Sequence, residues 1–100
     1  MKIFPMIEQS GQLHAFEISN SFVSRSSVVR IVRKIPRVTI SSKPKLLSWF
    51  RESKFCSFTV DGQKFSVEEP FGDNSRYLVS AEPPGPCMQF EAVEKAFAEA

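Results

Sequence analysis

The sequence predicts a single α+β domain over residues 1–100, a two-layer sandwich with two helices on one face of an antiparallel sheet. Three observations predict it. Asp61-Gly62 separates two alternating runs, and that dipeptide tolerates the positive φ angles of a two-residue hairpin turn. Val28, Ile31, Val32 and Ile35 recur at i, i+3, i+4 and i+7, which is one face of a helix. Phe90, Val93, Phe97 and Ala100 mark a second apolar stripe near the carboxyl end. One hundred residues with ten Phe, one Trp and one Tyr can bury one core without staples.

The elements follow in the order β-β-α-β-β-β-β-α. Residues 2–7 read as an edge strand, because Pro5 cannot donate to a ladder on both sides. Residues 9–12 turn the chain into a second strand, 13–18, with His14, Phe16 and Ile18 on one face and Leu13, Ala15 and Glu17 on the other. The two strands should pair as a hairpin. Asn20, Ser24 and Ser26 are candidate caps for the helix carrying Val28 to Ile35, and Pro36 stops it. Val38 and Ile40 alternate with Arg37 and Thr39 in a third strand, and Leu46, Leu47, Trp49 and Phe50 form a helical turn or packed loop.

Residues 54–60 and 63–68 make the central hairpin. A two-residue loop sets Val60 opposite Gln63, Phe58 opposite Phe65 and Cys56 opposite Val67. Ser57, Thr59, Lys64 and Ser66 then share the other face. A loop over 69–74 leads to a last strand, 75–81, and a Pro83-Pro84-Gly85-Pro86 connector to a helix from about Met88, with Glu91 and Lys95 as an exposed i, i+4 pair. The uncovered sheet face is expected to meet solvent, a partner or a second copy of the chain.

The amino-terminal residues do not read as a signal peptide, and no stretch is long enough to span a bilayer, so the expectation is a cytoplasmic chain without membrane contact. Cys56 falls on the inward hairpin face as a small core residue. Cys87 lies beside a predicted helix start, a position that favours thiolate. A disulfide between them is the lesser expectation where no secretory signal is read.

Net charge is +2 but unevenly spread. Residues 25–54 carry nine Arg or Lys (Arg25, Arg30, Arg33, Lys34, Arg37, Lys43, Lys45, Arg51 and Lys54) against Glu52 alone, while 55–100 carry eight acids and three bases. Arg30, Arg33 and Lys34 fall opposite the apolar helix face, with Arg37 just beyond. Such a face suits an acidic protein or nucleic acid, and Trp49, Phe50 and Phe55 between the charges could stack on bases. The competing account is a solvated helix face over buried aromatics.

A second cluster lies in 68–77. Its oxygen donors, Asn74 among them, could hold a hard cation, or Glu69 or Asp73 could serve as a base with Arg76 as an anion holder, in a small enzyme or ligand-binding protein. The competing account is a turn held by its own Asp, Asn and Gly, with Arg76 paired to Glu69 or Asp73. His14, the only histidine, has no nucleophile beside it. No phosphate loop, nucleophile elbow or metal-ligand spacing occurs, so neither cofactor nor metal is expected. The sequence therefore points to a small binding or regulatory domain with a basic helix face, and only secondarily to an enzyme.

Overall fold

In a computed structural model, which describes residues 1–7, 9–19, 23–42, 54–69 and 76–100, the described residues form one six-stranded antiparallel sheet and two helices. The strands are β1 (Ile3–Ile7), β2 (Leu13–Ser19), β3 (Val38–Ser42), β4 (Lys54–Val60), β5 (Gln63–Glu68) and β6 (Arg76–Glu82), and the helices are α1 (Arg25–Val32) and α2 (Phe90–Ala98). Across the sheet the order is β1-β2-β6-β5-β4-β3, so β1 and β3 are the edges. The predicted α+β class and element order are those observed.

The central hairpin has the register its turn and pattern demand: Val60 opposite Gln63, Phe58 opposite Phe65, and Cys56 opposite Val67. Asp61 at φ 49° and Gly62 at φ 82° both occupy the left-handed region, as a type I′ turn requires. No atom crowds the space beside Gly62, so backbone conformation rather than packing selects glycine there.

Register carries this face across the sheet. Phe16 lies opposite Val79, Ile18 opposite Tyr77, Phe65 opposite Ala81, and Ile40 opposite Phe58. Residues of both helices join these strand residues in one buried core cluster. Phe90 and Phe97 of α2 pack edge-on against Phe16, and Phe90 also packs against Phe65. At the start of α1, the Tyr77 hydroxyl donates to the Val23 carbonyl at 2.9 Å, and the Arg25 guanidinium lies over Phe55. Phe16, Phe55, Phe58, Phe65, Phe90 and Phe97 are all fully buried here, so these six rings are core.

Of the candidate caps, Ser24 performs the task, accepting from the Ser27 amide at 3.1 Å. Asn20 lies outside the described residues, as does the segment 46–50. The first α-helix ends at Val32, and Lys34 and Ile35 carry the chain on to Pro36 in tighter turns, their amides donating to the Ile31 and Val32 carbonyls at 3.0 Å. Ile35 nevertheless stays buried. In α2 the stripe holds at Phe90, Val93 and Phe97, whereas Ala100 falls beyond the helix and is exposed. Glu91 and Lys95 do not form the expected ion pair among the described residues.

The face opposite Phe16 and Phe65 differs from a simple solvated surface among the described residues. Register aligns Ala15, Ser80, Ser66 and Ser57 in one row across four strands. Long neighbours fold over these short side chains. Lys54 reaches Glu82 at 2.8 Å, from one side of the row to the other, and Lys64 adds a 3.6 Å contact to the same carboxylate. Ser66 is buried beneath, although alternation alone places it outside. No described helix is long and apolar enough to cross a membrane.

Candidate functional site

The exposed side of α1 is built by its own periodicity. Val28, Val29, Ile31 and Val32 turn to the core, which leaves Arg30 and Arg33 outward, and the chain continues as a tight turn through Lys34. Arg30 donates to the Ser27 hydroxyl at 3.1 Å. Arg30, Arg33 and Lys34 are exposed and hold no carboxylate among the described residues. Cations at a helix carboxyl end also interact favourably with the helix dipole, worth about 0.3–1 kcal/mol each.

Arg37 departs from this pattern. Its backbone is left-handed, φ 61°, and its guanidinium meets Asp61 of the β4–β5 turn at 3.0 Å. With side chains 76% and 41% exposed, the pair is solvent-screened and contributes at most about 1 kcal/mol. An incoming carboxylate can compete for it.

Two other members of the positive segment serve different purposes. Arg25 is only 20% exposed, pairs with Glu69 at 2.8 Å and rests 4.7 Å from the Phe55 ring centre. Lys54 lies on the opposite sheet face, tied to Glu82, and does not extend the α1 surface. Hydrogen bonding to Glu82 pushes the Lys54 ammonium up, and the same bond pulls the Glu82 carboxyl down. Phe55 is buried, so it offers no ring for stacking. Lys43, Lys45, Trp49, Phe50 and Arg51 lie outside the described residues.

The second cluster divides between the two faces. Glu69 joins Arg25 beside α1, whereas Arg76 turns to the other sheet face, 3.2 Å from Glu17 and over the Phe4 ring at 3.7 Å. Asp73 and Asn74 lie outside the described residues. The grouping that sequence reasoning missed is Arg25, Phe55, Glu69 and Tyr77, drawn from one helix and three strand ends. Burial, and then the Glu69 charge, pushes the Tyr77 hydroxyl up, while Arg25 opposes the shift.

Cys56 and Cys87 are both free. Burial pushes the Cys87 thiol up, the direction opposite to the activation expected of a helix amino terminus. His14 sits half-buried on the core-facing side of β2. Among the described residues no group of three His, Cys, Asp or Glu is placed to hold a metal ion.

Beside the basic surface runs a groove of about 590 Å³. Lys34, Pro36 and Arg37 form one wall, α2 forms the other, and Val60 and Asp61 close its base. Met88, just before α2, lines it with 86% of its surface exposed. Comparison with protein-family models, curated proteins and solved structures finds nothing that matches this chain.

Proposed function

We propose that this chain is a non-enzymatic binding or regulatory domain that takes hold of an acidic segment of another protein through Arg30, Arg33 and Lys34, with Arg37 beside them. One observation carries the reading: these three neighbouring cations have no carboxylate among the described residues, whereas Arg25, Arg37, Lys54, Lys64 and Arg76 each have one. Cations left in water keep their charge available for a partner, and a local excess of one sign steers an oppositely charged chain to it.

Protein is favoured over nucleic acid because Phe55, the described aromatic of the basic segment, is buried. Among the described residues of the basic segment no ring is exposed for bases to stack on, so what these residues offer a nucleic acid is phosphate attraction. A site at 68–77 draws less support, since Glu69 and Arg76 face opposite sides of the sheet with different partners.

The test is a titration of labelled oligo-glutamate, and of DNA and RNA strands of equal charge, at several salt concentrations. Oligo-glutamate should bind at low salt, weaken as salt rises, and lose most of its affinity to the Arg30→Ala/Arg33→Ala double variant. Absence of binding at low salt removes the reading. Tighter binding of the nucleic acids transfers it to them.

A further inference from the structure

We infer that the groove between α2 and the α1–β3 connection receives a bulky apolar side chain carried by the acidic partner segment. This rests on the binding reading above and states what that partner must carry besides its acids.

The groove is continuous with the basic surface, because Lys34 belongs to both. Pro36, Ala92 and Ala96 give it apolar lining, and its volume accommodates an aromatic or large aliphatic side chain. Met88 is the most exposed of the large hydrophobic residues described. Covering it removes apolar surface from water, and an unbranched thioether adapts to whatever shape covers it.

Charge is divided across the groove, and that division selects the occupant. On the α1 wall, Lys34 leads on to Arg33 and Arg30. On the α2 wall, Glu91 and Glu99 flank Lys95. A segment that lays its acids toward α1 and its apolar residue into the groove satisfies the cationic wall and keeps its carboxylates away from Glu91 and Glu99. A basic segment would meet repulsion from Lys34 onward. Anchoring by one buried side chain, with charges setting orientation at the rim, is a common division of labour at protein interfaces.

The test uses two labelled peptides on the full chain, oligo-glutamate with one central tryptophan and the same peptide with serine in its place. Fluorescence anisotropy should show the tryptophan peptide binding about tenfold tighter or more, the effect of burying one large apolar side chain. Met88→Ser and Ala96→Phe should erase that difference while leaving the serine peptide unchanged. Lys34→Glu should weaken both. Circular dichroism of each variant checks that the fold persists, and Met88 is too exposed to be needed for it.

Equal affinity of the two peptides overturns the groove assignment and leaves the α1 surface intact. Failure of both peptides removes both readings. Concentration-dependent dimerisation that Met88→Ser abolishes would give the groove to a second copy of the chain and overturn the assignment to an acidic partner.

Discussion

The two ends of α1 put the same kind of side chain to opposite uses. At the first turn, Arg25 lies against Phe55, bonds Glu69 and is mostly covered. At the last turn and just beyond, Arg30, Arg33 and Lys34 stand in water without a carboxylate among the described residues. Counting positive residues along the chain cannot separate them. What separates them is which side of the helix axis faces the sheet, and whether a strand end brings an acid within reach. Cations of the first kind stabilise the fold, and those of the second kind are available to another molecule.

Removing the ring under Arg25 should produce the largest effect. Phe55 is buried and edge-packed on Tyr77 at 5.1 Å, so Phe55→Ala should cost about 3–5 kcal/mol in urea unfolding. A loss below about 1 kcal/mol would mean that this end of the helix is not the anchored one.

Alkaline pH probes the same strand. Burial pushes the Cys56 thiol from its ordinary 9.0 to about 11. The unfolded chain therefore releases that proton first. Its contribution is complete below pH 9 and is lost as pH rises through 11, a total of about 2–3 kcal/mol. Cys56→Ala should remove this slope. Tyr77 titrates in the same sense in both proteins, so the difference between their unfolding curves isolates Cys56.

Arg25→Met keeps the stem over Phe55 but deletes the bonds to Glu69, and should cost about 1–3 kcal/mol. It also removes the charge that opposes the rise at Tyr77, so the phenol should titrate at still higher pH. With one tyrosine in the chain, ultraviolet absorbance follows that group directly.

The smallest expected change sharpens the comparison most. Arg30→Ala and Arg33→Ala together should alter unfolding free energy by about 2 kcal/mol at most, the scale of two exposed charges near a helix end, while removing most of the acidic-peptide affinity. A larger loss would make both ends of α1 structural and leave no surface to spare.

Local chemistry made much of the fold legible in advance. Asp61-Gly62 and the alternation around it contain the turn type and the register at once, because a two-residue loop leaves no freedom to slide. The stripes of α1 and α2 follow from apolar spacing, and Pro5 marks an edge. The candidate site was less legible because it depends on contacts far apart in sequence. Arg25 and Lys54 look like their neighbours until Glu69, 44 residues away, and Glu82, 28 residues away, claim them. Ser66 reads as an outward residue because alternation reports the face but not what folds over it. Met88 reads as the first residue of a helix, whereas the helix starts at Phe90 and leaves Met88 at the mouth of a groove.

Pro5 lies in the middle of β1, opposite Phe16, on the outermost strand. A foreign strand adding there would seek a ladder of donors and find one rung missing, with the shift between Met6 and Ile7 disturbing the spacing of the next. Fibre-like growth from copy to copy is thereby discouraged at its first step on that side, even though Met6 and Ile7 expose apolar surface alongside.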